Sequence, residues 1–118
     1  MRSPLLHLYG LKTCDTCRKA LKALDAKGVD VAFHDVRAEG VSIKQIERWA
    51  SAVGWERLLN KASTTWRALP DSDKEGVGKA KAIALMAAHP TLIKRPVIER
   101  GSTEVHIGWS DETRKAVL

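Results

Sequence analysis

The stretch that decides the fold is Leu5-Leu6-His7-Leu8-Tyr9-Gly10-Leu11-Lys12-Thr13-Cys14-Asp15-Thr16-Cys17-Arg18, which contains both cysteines of the chain. Its first part, from Leu5 to Tyr9, has the length of a short buried strand, and Gly10 interrupts the apolar run. Beyond Cys14, apolar residues recur at the i, i+3, i+4 and i+7 spacing of one helix face; they are Cys17, Ala20, Leu21 and Leu24. The pattern therefore predicts a strand, a turn that carries Cys14, and a helix with Cys17 on its inward face.

The boundaries of this helix carry residues that are typical of helix ends. Asp15 or Thr16 is expected to cap the first turn. Gly28 is expected to end the helix after Lys27.

The start of the predicted helix is a favourable place for a reactive thiol. Unpaired backbone N–H groups and nearby cations stabilise a thiolate there and lower its pKa from the ordinary value of about 8.5. Basic residues surround the motif; they are Lys12, Arg18 and Lys19. Cys14 is thus the expected nucleophile and Cys17 the expected resolving partner. A C-x-x-C motif after a strand in a β-α-β pattern is typical of thioredoxin-like redox proteins.

Two cysteines in a chain can also serve as metal ligands, as haem attachment points or as core residues. A structural zinc site needs further closely spaced ligands, but the chain has no third cysteine, and His89 and His106 are far apart. Haem attachment needs a histidine directly after the second cysteine, where the chain has Arg18. Two incidental core cysteines remain an alternative, because free cysteine is often a small buried hydrophobe. The sequence predicts no metal site.

The length and composition predict one domain in residues 1–118. The chain has 118 residues, 44% of them hydrophobic, which is enough for a core. No signal peptide or membrane-spanning run is apparent, so we expect a cytoplasmic protein with no membrane partner. The net charge of +6 is spread along the chain rather than clustered, which predicts no nucleic-acid partner but suits anionic small substrates such as glutathione.

The second strand is predicted at Val31–Val36, followed by a polar segment from Arg37 to Gly40. Strand, helix and strand within about thirty residues indicate a parallel pair with a right-handed crossover. His34 lies in this strand, where a hydrogen-bonded structural histidine is the favoured interpretation over a catalytic base.

A helical insertion is predicted over about residues 41–90. Ser42 and Gln45 form a capping box for a helix with one apolar face; its members are Ile43, Ile46, Ala50 and Val53. Residues 60–67 are polar and are interpreted as a loop. A further helix is predicted from about Lys79 to Ala88; its predicted inward face is Ala80, Ile83, Ala84 and Ala87.

The last part of the chain predicts two strands and a helix. Pro96 is expected to begin a strand or to sit at a special turn, because proline is costly inside a strand. Residues 100–103 resemble a hairpin turn, residues 104–109 form the last strand, and Ser110 or Asp111 caps the final helix. The whole order predicts an α/β thioredoxin-like fold, with a mixed four-stranded sheet flanked by helices and an inserted helical subdomain.

The sequence resembles the ArsC-like reductases, and most closely their Spx/YffB branch. The resemblance is carried by four segments in the right order; they are residues 9–20, Leu58-Leu59-Asn60, Thr64-Thr65-Trp66-Arg67 and Leu92-Ile93-Lys94-Arg95-Pro96. It implies that Cys14 is the nucleophile, Arg18 the motif arginine, Arg95 an oxyanion-binding arginine and Pro96 a cis-proline beside the active site. A surface salt bridge is the alternative for Arg95. Substrate-binding roles are predicted for Lys12, Thr16, Asn60 and Pro96.

Two positions depart from the arsenate-reducing pattern. Asn60 and the Gly108-Trp109 pair stand where that pattern has arginines. Losing charge-assisted contacts worth about 1.5–3 kcal/mol each should weaken arsenate binding severely. Cys17 instead favours a disulfide within the motif or a mixed disulfide with glutathione.

The leading hypothesis from the sequence is a glutathione-dependent thiol–disulfide reductase. Cys14 attacks a small-molecule or protein disulfide, and glutathione or Cys17 resolves the product. Glutathione is a reductant or co-substrate, and no tightly bound cofactor is expected. The alternative is an Spx-like redox regulator that binds RNA polymerase, and arsenate reduction is the third hypothesis.

Overall fold

The computed structural model describes residues 6–101 and 104–118. The chain divides into two compact units: Met1–Glu39 with Arg95–Leu118, and Gly40–Lys94. In chain order its elements are β1 (Leu6–Gly10), α1 (Asp15–Ala26), β2 (Val31–Asp35), α2 (Val36–Glu39), α3 (Ile43–Val53), α4 (Trp55–Leu58), α5 (Thr64–Ala68), α6 (Asp71–Lys74), α7 (Lys79–Ala88), a 3-10 turn (Pro90–Leu92), β3 (Val97–Arg100), β4 (Glu104–Ile107) and α8 (Asp111–Val117).

The first unit is built on a mixed four-stranded sheet in the order β2-β1-β3-β4. β1 pairs with β2 in parallel, and β3 pairs in antiparallel fashion with both β1 and β4. One face of the sheet and the helices that cover it share a hydrophobic core; its buried members are Leu6, Leu8, Cys17, Ala20, Leu24, Ile98 and Val117. This arrangement confirms the predicted α/β thioredoxin-like fold.

Two predicted details of the first unit, the cap of α1 and the end of β2, need correction. No side chain caps α1, because Cys14 occupies the N-cap position and makes no side-chain capping bond, so the predicted cap at Asp15 or Thr16 is wrong. β2 ends at Asp35 rather than Val36, because the Asp35 carboxylate accepts the N–H groups of Arg37 and Ala38 and starts a helix there.

The starts of β3 and α8 agree with the prediction, whereas the end of β4 does not. Pro96 directly precedes β3, and Ser110 caps α8 by accepting the backbone N–H of Thr113. β4 is shorter than predicted and ends at Ile107. Leu5 of the predicted first strand, and Ser102 and Thr103 of the predicted hairpin turn, lie outside the described residues.

The second unit is helical, and it occupies the part of the chain where an insertion was predicted. Ser42 caps α3 as the capping box indicates, because its hydroxyl accepts the backbone N–H of Gln45 at 3.2 Å. α3 packs against α4 and α7. The fully buried side chains include Ile46, Trp49, Leu58, Met86 and Leu92. No helix among residues 6–101 and 104–118 is long and apolar enough to cross a membrane.

Two predictions for the second unit are wrong in detail. Residues 60–67 are not all loop, since Ser63 caps the short helix α5 by accepting the N–H of Trp66 at 3.1 Å. The inward face of α7 consists of Ala82, Ile83 and Met86. This helix is apolar almost all round, so packing of its largest side chains rather than a polar stripe decides which face is buried.

Candidate active site

The two cysteines lie at a turn between β1 and α1. Cys14 donates its backbone N–H to the carbonyl of Leu11 at 3.1 Å, which closes the turn, and then stands as the N-cap of α1. Cys17 follows one turn later, where its side chain is fully buried. Both thiols are free, and Cys14 is the more accessible of the two. The turn thus presents one thiol outward and holds the other in the core.

The surroundings of Cys14 favour its thiolate. Partial burial raises the pKa of the Cys14 thiol. Two groups oppose this effect: Cys17 donates hydrogen bonds from its backbone N–H and its side chain, and Arg95 contributes a hydrogen bond and a positive charge. Together they bring the pKa of Cys14 below its ordinary value. A thiolate rather than a thiol is the nucleophile in exchange with disulfides. Cys14 is therefore chemically suited to attack.

Cys17 has the opposite character. Burial is the main cause that raises the pKa of the Cys17 thiol to about 12, and the neighbouring Cys14 raises it further, whereas the N–H of Leu11 and the charge of Arg95 oppose the shift only in part. Cys17 therefore keeps its proton and can donate it to the sulfur of Cys14. The pair consists of an activated thiolate and a protonated neighbour.

The backbone of β1 makes room for the buried sulfur. A β-carbon at Gly10 would overlap the Sγ atom of Cys17, so only glycine leaves space there. Gly10 is the last residue of β1, and because it has no side chain, the sulfur of Cys17 can lie directly against the strand. The sequence marks Gly10 only as the end of an apolar run, whereas the structure shows that it is a packing requirement.

Arg18 and Lys12 hold the turn through backbone and side-chain contacts. The Nε atom of Arg18 donates to the carbonyl of Lys12 at 2.9 Å, and one Nη atom lies 3.9 Å from the Asp15 carboxylate. Lys12 and Thr16, which stand two positions before and after Cys14 in the chain, are exposed. The motif arginine therefore lies on α1 with its side chain bound to the turn, and binding of substrate by Lys12, Thr16 and Arg18 stays a prediction.

Arg95 and Pro96 begin the second chain segment of the first unit, and Arg95 contacts Cys14. The Arg95–Pro96 peptide bond is cis, Pro96 is buried, and its carbonyl accepts the N–H of Gly108 at 2.8 Å. The guanidinium of Arg95 hydrogen-bonds to Cys14, so the structure brings these two predicted site residues together. A guanidinium in this position offers further donors to an anionic substrate.

Asn60 lies in the second unit, where its polar groups shape a turn. Its backbone N–H donates to the carbonyl of Leu92 at 2.8 Å, and its side-chain oxygen accepts the N–H of Ala62 at 3.0 Å. Its role as a substrate-binding residue stays a prediction.

The position of the second missing arginine is occupied by backbone that suits glycine. Gly108 has a φ of 78°, a conformation that is unfavourable for residues with a β-carbon. Trp109 is partly buried against the core of the first unit. Neither residue supplies a cation where the arsenate-reducing pattern has one.

Sequence reasoning missed the role of Asp35. Its carboxylate accepts the backbone N–H of Lys12 at 3.2 Å, in addition to the N–H groups of Arg37 and Ala38. Hydrogen bonds from Ala38 and Lys12 hold the pKa of this carboxyl below its ordinary value. The available signal was an aspartate directly before a short helix, which is a typical N-cap.

The structure also shows a histidine pair beside β1. The Nε2 atom of His34 lies 3.0 Å from Nδ1 of His7, and its Nδ1 lies 3.3 Å from the Glu39 carboxylate. The ring of His34 stacks on Tyr9 with centroids 4.5 Å apart. These contacts agree with the structural interpretation of His34. Among the residues that the structure describes, no group of three or more His, Cys, Asp or Glu side chains is placed to hold a metal ion.

The sequence and the structure are similar to those of known proteins. Residues 9–117 match the model of the ArsC family. The solved structure of a protein named YffB is 42% identical, with a TM-score of 0.90 over 96% of this chain and 98% of that chain. An arsenate reductase (ArsC) related protein from Brucella melitensis is 39% identical, with a TM-score of 0.77 over 98% of this chain and 96% of that chain. The global transcriptional regulator Spx of Streptococcus pyogenes is 27% identical over 97% of this chain and 85% of Spx.

Proposed function

Because the chain belongs to the ArsC family, we propose that it is a glutathione-dependent thiol–disulfide reductase of the cytoplasm with Cys14 as its nucleophile. The observation that carries this proposal is the contrast between the two thiols. The pKa of Cys14 is lowered, while that of Cys17 is raised to about 12. Such a pair directs the attack on a disulfide to one sulfur.

In the first step, the Cys14 thiolate attacks one sulfur of a small-molecule or protein disulfide. A new S–S bond forms between Cys14 and that sulfur, the original S–S bond breaks, and the second sulfur leaves as a thiolate that takes a proton from water. Arg95, which touches Cys14, is placed to stabilise negative charge on the reacting sulfurs.

In the second step, the thiolate of glutathione attacks the other partner of the mixed disulfide. When that partner is itself glutathione, glutathione disulfide forms and Cys14 leaves as the thiolate, so one free glutathione thiol is consumed for each substrate thiol released. Cys17 is a poor resolver because its burial opposes loss of the proton. The proposal therefore assigns resolution to glutathione, with Cys17 acting as a hydrogen-bond donor to Cys14.

The positive charge of the protein favours glutathione, which is an anion, as the reducing substrate. Glutathione carries two carboxylates, and the exposed side chain of Lys12, the guanidinium of Arg95 and the net charge of +6 favour an anionic ligand near the turn. No tightly bound cofactor is required by this mechanism.

The test is NADPH consumption in an assay coupled through glutathione and glutathione reductase, with a small mixed disulfide as substrate. Cys14→Ser is expected to abolish turnover, and Cys17→Ser, the same substitution on the neighbouring thiol, is expected to leave partial activity. Turnover by Cys14→Ser would overturn the proposal. Complete loss of turnover in Cys17→Ser as well as in Cys14→Ser would show that Cys17, rather than glutathione, resolves the mixed disulfide.

Arsenate is the less favoured substrate, although a 39% identical neighbour is named an arsenate reductase related protein. Asn60 and Gly108 supply no guanidinium at the positions where the arsenate-reducing pattern has arginines. We expect no arsenate-dependent NADPH consumption in the same coupled assay. Arsenate turnover would show that other residues bind the oxyanion.

A second candidate function is a redox switch that binds RNA polymerase. The match to Spx over 97% of this chain favours it, and in this case oxidation of the cysteine pair would alter a docking surface. Copurification of an RNA polymerase subunit with the reduced or the oxidised protein would support this function. Disulfide turnover without such copurification would support the reductase.

A further inference from the structure

We propose that Asp35 is a positioning residue that holds the Cys14 turn in its reactive geometry by binding the backbone of Lys12. The inference rests on the proposed role of Cys14 as nucleophile. Asp35 acts through the peptide groups between β1 and α1, because its carboxylate accepts the backbone N–H of Lys12.

Both backbone groups of Lys12, its N–H and its carbonyl, are hydrogen-bonded to side chains outside the turn. The N–H of Lys12 donates to Oδ2 of Asp35 at 3.2 Å, and its carbonyl accepts Nε of Arg18 at 2.9 Å. In the turn closed by the Leu11–Cys14 hydrogen bond, Lys12 is the first central residue. An exposed turn of this kind would otherwise leave both peptide groups of Lys12 to water.

Asp35 is well placed to serve as an anchor. It is the last residue of β2 and pairs with Gly10, the last residue of β1, so its backbone is fixed by the sheet. Its other carboxylate oxygen accepts the N–H groups of Arg37 and Ala38, which fixes the side chain as the N-cap of α2. An ionised carboxylate accepts several hydrogen bonds at once, so one side chain can cap a helix and anchor a turn.

Asp35 is itself held in place by a neighbouring residue, Glu39. The Glu39 carboxylate accepts the backbone N–H of Asp35 at 3.1 Å and also lies 3.3 Å from Nδ1 of His34. Hydrogen bonds to both the backbone N–H and the side chain of Asp35 therefore hold the end of β2 in place. A rigid end of this strand is what a positioning role requires.

The expected consequence of losing the anchor concerns Cys14. With the turn released, Cys14 would spend less time beside the N–H of Cys17 and the guanidinium of Arg95, which are the contacts that stabilise its thiolate. Asp35 is not among the groups that shift the pKa of Cys14, and its contact with this part of the chain is the hydrogen bond to the backbone of Lys12, so we expect its effect to act through the turn.

The first test uses the parent protein and measures amide hydrogen exchange. The amide of Lys12 is expected to exchange at least about tenfold more slowly than its intrinsic rate, although it lies in an exposed turn. Exchange at the intrinsic rate would overturn the proposal, because the anchor would then not persist in solution. This measurement needs neither a variant nor catalytic activity.

The second test compares Asp35→Ser with the parent. Serine is a good N-cap and is expected to keep α2, but it is too short to reach Lys12 as well. The pH profile of Cys14 alkylation by iodoacetamide, followed by mass spectrometry, is expected to move up by about 0.5–1 pH unit. One pH unit below the parent's midpoint, alkylation is expected to be about threefold to tenfold slower.

The matched control is Asp71→Ser, at an exposed aspartate that begins α6 in the second unit. It is expected to leave the alkylation profile of the parent unchanged. An unchanged profile in Asp35→Ser would overturn the positioning role, even if disulfide turnover confirms Cys14 as the nucleophile. If Asp35→Ser fails to fold, the exchange rate of the Lys12 amide in the parent decides the question.

Discussion

The α-carbon of Gly10 lies so close to the sulfur of Cys17 that a β-carbon at position 10 would overlap it. The backbone of Gly10 is not in the left-handed region, so the requirement for glycine comes from space alone. The buried thiol and the end of β1 are therefore packed as one unit.

Gly10→Ala is expected to lower the free energy of unfolding by about 1–3 kcal/mol, because the new methyl group must displace the sulfur of Cys17. Urea denaturation of the purified variant measures this change. The control is the same substitution in a Cys17→Ala background, where the sulfur is absent and the cost should be much smaller. An equal cost in both backgrounds would show that the overlap is not its cause.

Arg95→Met is expected to raise the midpoint of the Cys14 alkylation profile, because the hydrogen bond and charge of Arg95 lower the pKa of that thiol. The thiolate fraction below the midpoint falls as a result, and alkylation slows there. Arg114→Met serves as the control, since Arg114 lies on α8 and contacts Asp111 rather than the cysteines. A profile unchanged in Arg95→Met would contradict the assigned contact.

Glu104 is expected to make the stability of the first unit sensitive to acid. Hydrogen bonds from Arg100 and His106 hold the pKa of Glu104 below its ordinary value. A depressed carboxyl pKa contributes stability above the unfolded value of about 4.3, and this contribution is lost as the pH falls through the folded value.

Glu104→Gln is therefore expected to lower the free energy of unfolding at pH 7 by about 0.5 kcal/mol, a small amount because the side chain is partly exposed. The difference from the parent should vanish at pH values below the folded pKa. Urea denaturation at several pH values measures this difference in the free energy of unfolding. The control is Glu47→Gln, at an exposed position of α3. A difference that stays constant into acid would contradict the ion pair as its source.

The sequence predicted the elements of the sheet because their signals are local. Alternating apolar residues, the Ser42 and Ser110 caps and the proline before β3 each depend on a few neighbouring residues, and the structure has each of them. Cys14 at the helix start and Cys17 on its buried face follow from the same local periodicity.

What the sequence could not predict depends on contacts between distant segments. The anchor from Asp35 to Lys12 joins residues 23 positions apart, and the contact of Arg95 with Cys14 joins the two separate chain segments of the first unit. The buried face of α7 was mispredicted because a nearly all-apolar helix has no polar stripe to mark its outer side. In each case tertiary packing, rather than local propensity, decides the outcome.

The most direct test of the central claim is to trap the first intermediate. The protein is mixed with a glutathione mixed disulfide, quenched in acid, and its peptides are examined by mass spectrometry. The account predicts a glutathione adduct on Cys14 that is absent from Cys14→Ser and retained by Cys17→Ser. An adduct on Cys17, or none on Cys14 under conditions of turnover, would contradict it.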